Sequence, residues 1–182
     1  MVCEGKVTEP GYIGAFQHHC RNQRVHVHVH KEHGVPLTVV QEAVNERLSA
    51  QNKARLQKDA NLEFDAVWAV FDVDDHPNLA EAVSLAEREG IQLAVSNPCF
   101  ELWALLHFDD HRKQIGRKKL RARLKKYLED YEKSLDFAKL IDGYEDAKSR
   151  AKELDRVATT TGNLGGNPST AVYLLTEMIR TK

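Results

Sequence analysis

The segment Phe64–Phe71, FDAVWAVF, places the strongest constraint on how this chain folds. Asp65 is its only charged residue, and a nearly continuous apolar run is typical of a strand covered on both faces in a parallel sheet. We expect this strand to be central. Three acids, Asp72, Asp74 and Asp75, follow directly at its end. Acids in this place predict either a solvated turn or a site that uses their charge.

Strand and helix patterns alternate on both sides of this segment. Met1–Cys3 indicates a short first strand, a helix follows it, and the alternation VHVHVH at Val25–His30 indicates a second strand. A helix at Leu37–Gln57 precedes the central strand, and the helix Leu79–Glu89 and the strand Ile91–Ser96 follow it. This order predicts a parallel α/β sheet flanked by helices and wound by right-handed crossovers.

Asparagine is expected to open three helices. Asn78 with Glu81 resembles a capping box, and the pairs Asn97-Pro98 and Asn167-Pro168 suggest an asparagine N-cap followed by proline at the first helical position. The last helix is therefore predicted to span Pro168–Ile179.

The second half of the chain has charged helical patterns and no strong strand pattern. We predict an α/β domain at residues 1–108 and a helical region packing on it at residues 109–182. Residues 112–126, the basic arm, carry nine Lys or Arg and no acid. On a helix, Arg117, Arg121 and Lys125 share one face and leucines share another, so we expect the leucines to dock and the basic face to look outward.

Composition excludes several classes of protein. No segment approaches the roughly 20 apolar residues that span a bilayer, and the start of the chain lacks a signal-peptide pattern. Three cysteines without a CxxC pair suit a reducing compartment. We therefore expect a cytoplasmic protein without a membrane segment.

Several polar groups are expected at one edge of the sheet, because ligands bind outside the carboxyl ends of parallel strands. Glu4 ends the first strand, Asp72 and Asp74 end the central one, and Ser96-Asn97 ends the next. Asp72 and Asp74 are two residues apart, so they project to the same side of an extended backbone and suit a shared Mg²⁺ ion. A capped turn is the alternative, and Glu4 at a second strand end favours the metal site.

The pairing of Glu4-Gly5 with a later Asp-x-Asp at Asp72–Asp74 resembles the Toprim domain of topoisomerases, primases and overcoming-lysogenization-defect nucleases. More narrowly, VCEGKVTEPGY, FDVDDHPN, SNPCFELWALLHF and NPSTAVYLL, in this order, resemble the RloB family of prokaryotic phage-resistance proteins. The resemblance implies a Toprim fold, a bound divalent metal, and a nuclease of antiphage defence or abortive infection. Its substrate by analogy is RNA, with tRNA favoured.

The resemblance also implies roles for individual acids. Glu4 would be the Toprim glutamate, as a metal ligand or as the group that handles the proton, and Asp72 and Asp74 would hold Mg²⁺ or Mn²⁺. Glu101, near the start of the next helix, would complete the metal shell or act as general base. The alternative for Glu101 is an acid that only favours the positive end of a helix.

Nucleic acid is the expected partner of the basic residues. The candidate phosphate contacts are Lys6, Arg117, Lys118, Arg121 and Lys125. Defence-system proteins and a second copy of the chain are further candidate partners. Zinc on His26, His28 and His30 is a minor alternative ligand set.

Two alternative functions stay open. One is a DNA nuclease that uses the same acids. The other is a non-catalytic nucleic-acid-binding or regulatory module, because only MVC precedes Glu4 and the first strand is expected to be short.

Overall fold

A computed structural model describes residues 1–24, 28–29, 35–73, 78–162 and 165–181. The strands are β1 (Val2–Cys3), β2 (His28–Val29), β3 (Trp68–Asp72), β4 (Gln92–Asn97) and β5 (Ser169–Thr170). The α-helices are α1 (Thr8–His19), α2 (Pro36–Gln57), α3 (Leu79–Glu89), α4 (Glu101–Leu106), α5 (Arg117–Leu124), α6 (Phe137–Leu140), α7 (Tyr144–Thr160) and α8 (Val172–Arg180). Short 3-10 helices lie at Ala60–Leu62 and Ile141–Gly143.

The strands form a mixed sheet in the order β2-β1-β3-β4-β5. The first four strands are parallel, which confirms the predicted α/β sheet, and β3 lies at its centre between β1 and β4. Trp68 and Val70 of β3 pack into one hydrophobic cluster, whereas Ala69 and Phe71 pack into the other. The predicted start of this strand was too early, because β3 begins at Trp68 and residues 64–66 are exposed. From Val67 to Phe71 the run is buried, and each face of β3 contacts its own layer of side chains.

Helices cover both faces of the sheet. α2 and α3 supply buried residues to the cluster on one face, and α1 and α4 supply them to the cluster on the other. The second cluster also includes Leu120, Ala151 and Leu175 from the second half of the chain. One hydrophobic core therefore joins residues from both predicted segments, and the division at residue 108 stays a prediction.

The second half also contributes a strand, which the sequence patterns did not predict. β5 pairs antiparallel with the end of β4, with Ser169 opposite Asn97 and Thr170 opposite Ser96. The hydroxyl oxygens of Ser96 and Thr170 lie 2.8 Å apart in a buried hydrogen bond. Two residues are too few to show an alternating pattern, so β5 could only be recognised from its partner.

The predicted starts of two helices were wrong. The peptide bonds Asn97-Pro98 and Asn167-Pro168 are cis, and the helices begin later, at Glu101 and Val172. Asn97 is still the last residue of β4, and Ser169 and Thr170 are extended in β5, so neither backbone is helical there. The bounds of α3 are as predicted, although its N-cap Asn78 makes no side-chain capping bond.

Two predictions fall largely outside the described part of the chain. Asp74, Asp75 and most of the His-rich segment belong to residues 74–77, 25–27 and 30–34, about which the structure says nothing. Among the described residues, no helix combines the length and apolar character that a membrane crossing requires.

Candidate functional site

Glu4 lies where β1 ends and its carboxylate contacts the end of β3. Its backbone N–H donates to the carbonyl of Val70 at 2.9 Å, which extends the pairing of β1 with β3 by one residue. Its Oε2 accepts a hydrogen bond from the backbone N–H of Asp72 at 3.2 Å. The predicted meeting of Glu4 and Asp72 at the carboxyl edge of the sheet is therefore present, even though β1 has only two residues.

Asp72 is the last residue of β3 and lies at the centre of the acidic site. Its Oδ1 accepts from the backbone N–H of Phe100 at 2.9 Å, and its Oδ2 is 3.6 Å from Nη2 of Arg117. Burial raises the pKa of this carboxyl well above its usual range, and repulsion from Glu9, Glu4 and Glu101 raises it further. The Arg117 charge opposes these effects without cancelling them.

Glu101, the first residue of α4, belongs to the same site. Its Oε1 accepts hydrogen bonds from Arg121 Nε at 2.7 Å and from the Tyr131 hydroxyl at 2.8 Å. Burial alone would raise the pKa of Glu101, but hydrogen bonds from Cys99 and Tyr131, together with the Arg121 charge, lower it below its usual value. Glu101 is therefore an ionised and firmly positioned carboxylate.

Glu9 is a fourth acid of the site, and sequence reasoning missed it. It lies in the first turn of α1, is buried, and has a pKa raised by burial and by the charges of Glu101 and Glu4. A Cβ built on Gly5 would collide with the Glu9 carboxylate. The signal available in the sequence was a second acid five residues after Glu4, which is easily taken for an ordinary acid at a helix start.

The arginines of the basic arm differ from their predicted placement. Leu120 and Leu124 of α5 are buried as expected. Arg117 and Arg121, however, form ion pairs with Asp72 and Glu101 instead of facing only outward. A buried carboxylate without a counter-charge costs several kcal/mol, so the acids hold these guanidinium groups at the site.

The remaining basic candidates are lysines on the surface of the protein. Lys6, Lys118 and Lys125 have exposed side chains, which is compatible with phosphate contacts and equally with a solvated surface. Their part in nucleic-acid binding stays a prediction.

The donor groups of the site fit a hard divalent cation. Ligand atoms of Asp72, Cys99 and Glu101 lie within 4.8 Å of one another, and the carboxylate of Glu4 contacts the backbone of Asp72. Burial and the nearby Glu101 raise the pKa of the Cys99 thiol, so it stays protonated and is a poor ligand. The oxygen donors are the ligands that Mg²⁺ and Mn²⁺ prefer. Burial is the main cause of the raised pKa of Asp72, and the charges of Glu9, Glu4 and Glu101 add to it; a cation would compensate these charges.

The fold and the site together define a class: a mixed α/β protein whose acidic site lies at the carboxyl ends of parallel strands, with arginines against it. The RloB-like protein family model matches residues 1–179, nearly the whole chain. The chain therefore belongs to the RloB-like family. Comparisons with curated proteins and with solved structures find no match.

Proposed function

We propose that this chain is a divalent-metal-dependent nuclease that cleaves RNA, with tRNA favoured, in antiphage defence. One observation carries the proposal: Glu4, Glu9, Asp72 and Glu101 gather at the carboxyl edge of the sheet, where Asp74 follows Asp72 in sequence. A buried concentration of carboxylates is costly without a cation. Toprim-type chemistry and the RNA substrate rest on the sequence resemblance, and action in the cytoplasm rests on the three cysteines without a CxxC pair.

The acids have different tasks in this proposal. Asp72, Asp74 and Glu4 hold Mg²⁺ or Mn²⁺, and Glu101 supports the same ion from its position on α4. A metal held by these residues would supply a water molecule of lowered pKa and would polarise the phosphoryl oxygen.

Glu9 is suited to accept a proton from the attacking water, because its pKa is raised toward the working pH. Glu101 is less suited to this role, because its pKa is lowered and its Oε1 already accepts two hydrogen bonds. The assignment of Glu101 as general base is therefore the weaker of the two that the sequence left open.

The test is to incubate the chain with tRNA, generic RNA and DNA, each in the presence of Mg²⁺ or EDTA. We expect cleavage of RNA that EDTA abolishes, and a fall in rate on the order of 100-fold or more in Asp72→Asn and Asp74→Asn. Asp65→Asn is the matched control, because Asp65 is an exposed aspartate that precedes the same strand at its other end. This control should cleave at the wild-type rate.

Each alternative function has its own outcome in this experiment. Cleavage restricted to DNA would identify a DNA nuclease that uses the same acids. Salt-sensitive binding of nucleic acid without cleavage would indicate a non-catalytic binding module. Cleavage that survives in the double variant of Asp72 and Asp74 would overturn the metal assignment.

A further inference from the structure

Arg117 and Arg121 contact the acidic site in different ways. Arg121 Nε lies 2.7 Å from Glu101 Oε1, which also accepts from Tyr131, and the Glu101 side chain is only 6% exposed. Arg117 Nη2 lies 3.6 Å from Asp72 Oδ2, which is an ion pair but too long for a hydrogen bond. Arg121 is therefore tied to Glu101 by a short hydrogen bond, although its side chain is 48% exposed. The charge that Arg117 gives to Asp72 is one that a stronger cation can replace.

Arg117 is held at the site by a contact that does not involve Asp72. Its Nε donates to the carbonyl of Pro98 at 2.9 Å. Pro98 lies in the turn between β4 and α4, and the same turn presents the Phe100 N–H to Asp72. The Arg117 guanidinium can thus lose its partner on Asp72 and stay beside the acidic edge of the sheet.

We propose that Arg117 is a resident counter-ion of Asp72 that yields this carboxylate to the metal and then binds a phosphate oxygen of the substrate. The inference rests on the proposed function and assigns a task to one residue within it. A metal ion on Asp72 removes the carboxylate from Arg117 and repels its charge. A planar guanidinium then matches the geometry of a phosphate group that lies next to the metal.

The transfer of Asp72 from Arg117 to the metal has two measurable consequences. Arg117 competes with the metal, so its removal strengthens metal binding. Arg117 also becomes available to phosphate when the metal is bound, so metal and nucleic acid strengthen each other's binding, and the coupling is reciprocal. A purely structural arginine would do neither.

The first measurement is a calorimetric titration with Mn²⁺ in the absence of nucleic acid, at mildly alkaline pH, which favours the ionised form of the carboxylates. We expect Arg117→Gln to bind Mn²⁺ about three- to tenfold more tightly than the wild type, because a partly buried ion pair is removed. Lys119→Gln is the matched control: it removes one positive charge from the same helix at an exposed position. Its Mn²⁺ affinity should equal that of the wild type.

The second measurement is the binding of unfractionated tRNA, followed by fluorescence anisotropy with Ca²⁺ or with EDTA. In the wild type, Ca²⁺ should increase the affinity for tRNA by about tenfold. Arg117→Gln should lose most of this increase. Lys119→Gln should weaken tRNA binding in both buffers alike and keep the ratio between them.

Arg117→Lys supplies a second variant, which keeps the charge but loses the donor to Pro98. Its Mn²⁺ affinity should lie between those of the wild type and Arg117→Gln, and it decides the question if Arg117→Gln does not fold. Mn²⁺ binding no tighter than wild type in the folded variants would overturn the inference, and so would an unchanged Ca²⁺ effect on tRNA. A wild-type chain that does not bind Mn²⁺ would instead contradict the proposed metal dependence itself.

Discussion

Gly5 has a clear physical reason for being glycine at this position. The Glu9 carboxylate lies against its Cα, where any side chain would overlap it. Glu9 is one of the four acids of the site, so the absence of a Cβ at Gly5 is what lets α1 bring this carboxylate close to Glu4 and Asp72. The Glu-Gly pair at the end of β1 thus helps to place two acids. Glu4 is itself one of them, and Gly5 leaves room for the carboxylate of Glu9.

Replacing Gly5 by Ala tests this explanation. Gly5→Ala should lower the free energy of unfolding by about 1 kcal/mol, the low end for an overpacked contact because the Glu9 carboxylate ends a flexible side chain. It should also slow RNA cleavage by displacing Glu9, the proposed proton acceptor. In a Glu9→Ala background the same change should cost much less, because the collision is gone. The measurement is a double-mutant cycle in urea. Equal costs in both backgrounds would show that Gly5 is needed for a different reason.

Helix α4 carries ionisable groups at both ends, with Glu101 at its start and His107 just after its last turn. The carbonyl of Trp103 can only accept, so the His107 Nδ1 at 2.8 Å carries the ring proton. Nε2 then accepts from the Tyr12 hydroxyl at 3.1 Å. Burial, together with the Arg150 charge, lowers the pKa of His107 to about 4, so it is neutral at physiological pH.

The neutral His107 predicts how stability depends on pH. Between pH 6.5 and about 4 the unfolded chain protonates this histidine and the folded chain does not, so stability rises with pH across this window and is lost as the pH falls. The contribution is about 3 kcal/mol. His107→Gln should remove it, which urea unfolding of both proteins at several pH values would measure. Parallel curves would contradict the assignment, because the carboxylates titrate in both proteins.

Most helices and strands were predictable from the sequence, because the spacing of apolar residues shows which side chains are buried. The central place of β3 was correct because its apolar run needed cover on both faces, although the strand begins at Trp68 and not at Phe64. The bounds of α3 were correct because Gly90 ends it in the left-handed conformation, with φ of 65°. The starts of α4 and α8 were wrong, because an Asn-Pro pair fits the end of a strand or an extended turn as well as a helix start. The choice among these three structures depends on partners that are distant in sequence, such as Ser169, which pairs with Asn97.

The candidate site was predictable only in part, for a similar reason. The meeting of Glu4 and Asp72 was predictable because strand ends in a parallel sheet meet at one edge. Glu101 was assigned to the site from the family resemblance and from its place at the start of the following helix. Glu9 was missed because its carboxylate reaches the site through contact with Gly5, which no spacing rule describes. Arg117 and Arg121 were assigned to an outward face of the helix. Helix periodicity shows which residues share a face, but it does not show which residues elsewhere in the chain contact that face.

At the scale of the whole molecule, the two halves of the chain share one core. α4 packs against α5 and α7, and α8 packs against β4 and α1. Leu102, Trp103 and Leu105 of α4 are fully buried among residues of the second half. The α/β half is thus incompletely covered without the helices that follow it.

A fragment of residues 1–108 tests whether the first half folds by itself. We expect no cooperative thermal transition by circular dichroism, because α4 would expose its apolar side chains to water. The full chain is the control and should unfold in one transition. A cooperative transition in the fragment would instead support an independent domain that ends near residue 108.

The ion pairs at the site also bear on how the chain folds as it is synthesised. All four carboxylates, from Glu4 to Glu101, leave the ribosome before Arg117, Arg121 and Tyr131. A nascent chain that has reached only α4 carries the buried acids without their counter-charges, which disfavours closing the core around them. The order of the residues along the chain therefore delays completion of the acidic site until the segment that neutralises it has emerged.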